Sequence, residues 1–377
     1  MAIAIVMGAA GDRALASHVN CGDKVTADTR LDSDLHNCRN NGIVIGADDV
    51  TLNLDGHTID GDGKLLASCP RDKICDAGVV SAGHDGVTVR GGSVREFAVG
   101  VLVGGARRNR VLAVSSSGNR FPGIVIFNSA RSVVRDSKIA RNGLHTDEAG
   151  IVVFHSHQSR IVDNSIRENG DIGMIIDGSG RSSIQENLII GNPEAGVIID
   201  AGRNEVSRNR VARNGDGIIV GGNRNTIVRN RVSGSRAGQG GGGFGISFET
   251  GSDNLIARNL IVRSSTAGIR VGLSPADAEG GPPAANTVIR GNRLGAGNRD
   301  GVFVMSTAVG IALRHNRAHD SGDDGFDVES PATRLTDNSA IDNGGRGIEA
   351  VRGVADGGGN IAQGNGDVPE CTNIACG

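Results

Sequence analysis

The stretch GVIIDAGRNEVSRNRVARNGDGIIVGGNRNTIVRNRVS, residues 196–233, states one pattern twice. Gly196-Val-Ile-Ile opens the first unit and Gly217-Ile-Ile-Val opens the second. Between them lies Asn204-Glu-Val-Ser-Arg-Asn209-Arg-Val, answered by Asn225-Thr-Ile-Val-Arg-Asn230-Arg-Val. Short apolar-alternating runs bounded by Gly and Asn read as strands and turns, and no helical period fits them. Each unit therefore holds three short strands.

Outward from this stretch the unit repeats. Glycine starts run from Gly78 through Gly100, Gly123, Gly150, Gly173 and onward to Gly347, with a base period of 22–23 residues. Three strands per period with matching faces predict an all-β, single-stranded parallel β-helix of about twelve coils. At the spacing of paired strands this is a rod of roughly 55–60 Å. Asn at equivalent turns predicts side-chain amide ladders. Gly at each strand start is expected to supply a left-handed backbone.

Composition agrees. The 377 residues include 60 Gly, 8 Pro, 8 Phe and neither Trp nor Tyr, so Val, Ile, Leu and Ala must build the core. The 8 Pro exclude collagen, a 38% hydrophobic content with net charge −3 argues against a disordered chain, and that charge gives no nucleic-acid footprint. No run is long enough for a membrane span. Residues 1–19 read as a partial secretion signal or a disordered N-terminus: an apolar run at 2–10, broken by Asp12 and Arg13, then Ala14-Leu15-Ala16. Residues 20–377 read as one β-helix domain, with an N-terminal cap at 20–41 and a tail at 367–377. Local pairing of the six cysteines gives Cys21–Cys38, Cys69–Cys75 and Cys371–Cys376, which suits a secreted, extracellular protein. A monomer is expected.

These repeats resemble the PbH1-type right-handed parallel β-helix of the pectate-lyase-like superfamily, with its secreted CASH/NosD-like bacterial members. The resemblance covers roughly residues 42–366. Residues 46–60 resemble the first coils of such proteins, and Gly322-Asp-Asp-Gly-Phe-Asp-Val328 the last. It implies a right-handed coil and a polysaccharide or other extended ligand. Members are lyases, hydrolases, epimerases and non-catalytic surface scaffolds. The Asn-Thr-Asp and Gly-His-Gly motifs of polygalacturonases are absent, as is the Asp-Pro-His-Asp/Glu motif of alginate epimerases.

Enzymes of the superfamily work on the outer face of the first sheet. Residues two and four after each start glycine should point outward there. Read coil by coil, this stripe passes from apolar to acidic. It brings up Asp177, Asp200, Glu249 and Arg270 as catalytic candidates, with Phe127, Phe154, Ser247 and Phe303 as substrate-binding candidates. Asp177 and Asp200 should lie on adjacent coils, close enough to share a proton, serve glycoside hydrolysis or hold a cation. Asp323, Asp324, Asp327, Glu329 and Glu349 form an acidic end that would suit Ca²⁺. His145, His155 and His157 cluster near the apolar end. Arg208, Arg229, Arg258 and Arg290 form a basic column expected to pair with Glu186, Glu205 and Asp253. Extra residues at 144–149, 234–244 and 273–285 should project from both borders of the outer face, walling Asp200, Glu249 and Arg270. Without Trp or Tyr to stack on sugar rings, charge must do most of the holding, which favours an acidic polysaccharide.

Overall fold

The computed structural model describes residues 16–64, 76–143, 148–238, 241–274, 282–295 and 297–377. Every ladder between successive turns is parallel. One strand from each turn joins a 14-stranded sheet running from Asp23–Val25 to Ile348–Ala350. Most of the other strands form a continuous 27-stranded sheet, in which the long strands Thr88–Arg95 and Arg110–Ser117 link two sides. The described residues thus make fourteen turns, two more than the glycine starts count. The extra two are N-terminal, and the expected cap at 20–41 is the first of them: Asp23–Val25 pairs with Ile43–Ile45, and Cys21–Cys38 staples it. Cys371–Cys376 closes the other end. Cys69 and Cys75 lie outside the described residues, as does most of the signal-like segment.

Alternation decides which side chains fill the rod. Met174, Ile176, Val197, Ile199, Ile218 and Val220 are fully buried inside it. From the 27-stranded sheet, Ile184, Ile189, Val206 and Val211 meet them. Each such aliphatic side chain contributes about 1.5–3 kcal/mol by leaving water.

The turns are held by asparagine. Asn164, Asn187, Asn209, Asn230 and Asn259 stack so that each Nδ2 donates to the next Oδ1 at 3.0–3.1 Å. The backbone N–H of each also donates to that same oxygen. A second ladder runs through Asn119, Asn142, Asn169, Asn192 and Asn214. These buried amides satisfy turn groups that the strands leave unpaired.

The start glycines have a different cause from the expected one. None of them has a positive φ. A Cβ on Gly196 would come within 2.6 Å of the Gly217 carbonyl oxygen, and one on Gly217 within 2.2 Å of that of Gly245. Close approach between turns excludes a side chain there. Left-handed backbone falls instead at other glycines and, among the non-glycine residues, mostly at Arg, Asp and Asn.

Candidate functional site

The outer face of the 14-stranded sheet carries two parallel columns in the expected register. One runs Val125, Val152, Ile175, Ile198, Ile219, Ser247, Arg270, Phe303, Asp327, Glu349, each paired with the next. The other runs Phe127, Phe154, Asp177, Asp200, Gly221. Glu249 follows at its next turn, where its N–H bonds the Val220 carbonyl at 3.0 Å.

Asp177 and Asp200 are register partners in the strands Ile172–Asp177 and Ala195–Asp200. Asp200 is exposed and Asp177 half-buried. Neither carboxylate has a hydrogen-bond or ion-pair partner among the described residues. Further along this face Glu249, Arg270 and Glu349 are engaged in ion pairs. Three turns beyond Asp200, Arg270 forms an ion pair with Glu249 of the turn before it. The Ser247 hydroxyl accepts from Arg270 Nε at 3.1 Å and Nη2 at 2.8 Å, and lies 3.1 Å from Glu249 Oε1. The Arg270 guanidinium carbon sits 4.3 Å from the Phe244 ring centre, a cation–π contact. Ser247 is therefore not a substrate-facing group. It is fully buried as a strut between Arg270 and Glu249.

The 234–244 insertion does border this cluster. It forms the small hairpin Ala237–Gly238 with Gly241–Gly242 and ends in Phe244 beneath Arg270. Buried Asp216 anchors it by accepting the N–H groups of Gly242 at 3.1 Å and Phe244 at 2.7 Å. Burial pushes the Asp216 carboxyl up, against these two donors and Arg270, which pull it down. Of the 273–285 insertion, Leu273 accepts from Thr307 Oγ1 at 2.7 Å, and Ala284–Ala285 pairs with Gly251–Ser252. Its middle lies outside the described residues, as do Leu144 to Asp147 with His145.

The aromatic candidates divide. Phe127 lies over Gly104, where a Cβ would fall 1.8 Å from the ring, and packs with Leu102 and Phe121 in an apolar patch. Phe154 is 38% exposed and stacks on His155 at 3.9 Å. Phe303 is half-buried on the turn after Arg270.

The acidic end forms a carboxyl cluster. Among the described residues, no group of three or more His, Cys, Asp or Glu is placed to hold an ion. Arg299 pairs with Asp323 at 3.5 Å, Arg346 pairs with Glu349 at 3.3 Å, and Asp324 accepts the Arg346 N–H at 2.5 Å. Burial pushes Asp327 up to about 7, helped by Asp300 and Glu329. Burial likewise pushes Asp324 to about 7 and Asp300 to about 6. Asp216 and Asp300 were not singled out from the sequence. Their signal is position: with Asp324 they stand just before a start glycine, where other turns have Val99, Ala149, Ile172, Ala195 or Ala267. In the basic column only Arg208 meets its expected partner, Glu186, at 3.4 Å. Asp253 pairs with Arg224 instead, at 3.7 Å.

The sequence pattern of right-handed β-helix regions matches residues 27–189, 77–232 and 173–365. No curated protein matches the chain. Among solved structures, the periplasmic alginate epimerase AlgG superposes with a TM-score of 0.59 at 16% identity, over 78% of this chain and 73% of that one. The DFA-IIIase of Arthrobacter chlorophenolicus A6 gives 0.48 at 15% identity, over 78% and 72%. The A-module of the Azotobacter vinelandii mannuronan C-5 epimerase AlgE4 gives 0.46 at 14%, over 95% and 88%. At these identities the likeness is one of fold.

Proposed function

Because the chain belongs to the right-handed β-helix family, we propose that it is an exported protein that binds and processes an acidic polysaccharide on the outer face of its 14-stranded sheet. The observation that carries this reading is the unpartnered pair Asp177 and Asp200 on adjacent turns. Their backbones are about 5 Å apart, so both carboxylates can face one glycosidic unit. Such a pair can divide acid and base work at a sugar. Glu249 and Arg270, locked together through Ser247, are a rigid polar post two and three turns along the same face. AlgG, an epimerase of alginate on the same fold, supports the substrate class.

A second reading has its own observation. The Asp324 and Asp327 carboxyls, pushed to about 7, can give or take a proton near neutrality. The same assay separates the two. Alginate, polygalacturonate and a neutral glucan are incubated with the full chain, with and without Ca²⁺. Reducing ends, unsaturated products and C5 configuration are followed. Turnover lost in Asp200→Asn but kept in Asp327→Asn supports the Asp177–Asp200 centre, and the converse moves it to the acidic end. Binding without turnover of any polymer supports a non-catalytic scaffold.

A further inference from the structure

We infer that the turn leaving the outer sheet is a track for a polyanionic sugar chain, formed by Arg108, Arg131, Arg181, Arg203 and Arg224 beside His157. This rests on the polysaccharide reading above and adds the part of the surface that selects for negative charge.

The residues share one turn position. The N–H of Arg108 bonds the Ala130 carbonyl, that of Arg131 the His157 carbonyl, and that of Gln158 the Gly180 carbonyl, at 2.9–3.0 Å. Arg203 and Arg224 repeat the bond at 2.8 Å to Asn223 and Ser252. All five arginines and the intervening Gln158 have left-handed backbones, with φ between 58° and 64°. One backbone conformation, repeated each turn, launches the side chains in a row about 24 Å long. Asp253 on the next turn ends the row by pairing with Arg224 at 3.7 Å.

Arg181 and Arg203 are exposed on adjacent turns, and no carboxylate lies within ion-pair distance of either among the described residues. In the next column over, Arg208 by contrast pairs with Glu186 at 3.4 Å. Like charges this close repel, and a bound anion relieves the repulsion. A groove of about 580 Å³ runs along His157, Arg181, Arg203 and Arg224. A second hollow of about 420 Å³, lined by Asp85, Arg107 and His155 among others, adjoins it at His157. His157 Nδ1 accepts the Gly180 N–H at 3.0 Å, which leaves Nε2 to donate. Asp177 and Asp200 lie four and three residues upstream of Arg181 and Arg203, so a chain in the track passes beside the carboxylate pair. The sugar repeat of an extended pyranose chain is of the same order as the turn spacing. Among the track's neighbours only Phe154 offers an exposed ring, which disfavours single-stranded nucleic acid because its bases need stacking platforms.

The test measures binding of a polygalacturonate oligomer long enough to span the track, its methyl-esterified counterpart and a single-stranded oligodeoxynucleotide. The full chain is compared with the double variant Arg181→Gly, Arg203→Gly. Glycine suits the left-handed turn, so an unchanged melting temperature verifies folding. The expected result is acid-oligomer affinity about tenfold weaker in the variant at low salt, falling with added salt in the parent. The ester should bind the parent no better than the acid binds the variant. Equal binding by parent and variant, equal binding of acid and ester, or tighter binding of the oligodeoxynucleotide would overturn the track. Unchanged binding in the variant with turnover lost in Asp200→Asn rejects the track and keeps the catalytic reading. Weakened binding with no turnover in the parent does the reverse.

Discussion

Asn230 makes four hydrogen bonds with one buried side chain. Its Nδ2 donates to the Val206 carbonyl at 2.9 Å and to Asn259 Oδ1 at 3.1 Å. Its Oδ1 accepts from the Asn209 backbone and side chain, both at 3.0 Å. Asn230→Ala leaves those partners buried and unpaired, so unfolding free energy should fall by about 2–4 kcal/mol. Denaturant titration checks this, and a loss under about 0.5 kcal/mol would mean that the ladder is decoration. Asp327 makes the opposite kind of contribution. Its folded pKa of about 7 stands above the ordinary 3.8, so ionising it costs stability. Its favourable contribution is complete below about pH 4 and is lost as pH rises through 7. Asp300, Asp324, Glu329 and Glu349 oppose its ionisation, and Arg346 is already engaged with Glu349. Asp327→Asn should therefore melt higher than the parent at pH 8, with the gap closing by pH 4. A constant gap across that range would show that burial does not hold this proton.

Elements explain why the face is shaped as it is. The paired segments Ala237–Gly238 and Gly241–Gly242 belong to an insertion between two ordinary turns, held by Asp216 and ending in Phe244 under Arg270. Phe244→Ala should leave the solenoid's melting temperature nearly unchanged while loosening Arg270. The measurable outcome is faster proteolysis at the hairpin, with turnover reduced about three- to tenfold. Turnover equal to the parent's would separate Arg270 from the chemistry. The outer-face columns were legible in the sequence because strand alternation leaves no choice of side once the start glycines are aligned. The Ser247 role was not legible, because a serine at an outward position does not reveal that Arg270 will fold down over it. Asp216, Asp300 and Asp324 were legible in principle, as aspartates breaking an apolar column. The glycine rule was read correctly in position and wrongly in cause, since one chain shows a repeat without showing which neighbouring carbonyl it must clear.

At the scale of the molecule, the period of 22–23 residues carried the architecture, and two further turns before Gly78 escaped it because the start Gly42-Ile-Val-Ile45 stands 36 residues before Gly78, well off the period. A rod of stacked turns gains its stability turn by turn and fixes the spacing of anything placed on its surface. That spacing brings Asp177 and Asp200 together beside the arginine row, although they are 23 residues apart in the chain. The most direct test of this arrangement is the turnover of a polyuronate by the double variant Asp177→Asn, Asp200→Asn, with binding of the same polymer measured in parallel. The account predicts a rate at least about 10²-fold below the parent with affinity retained or raised, since two repelling carboxylates are gone. Turnover at the parental rate would contradict it.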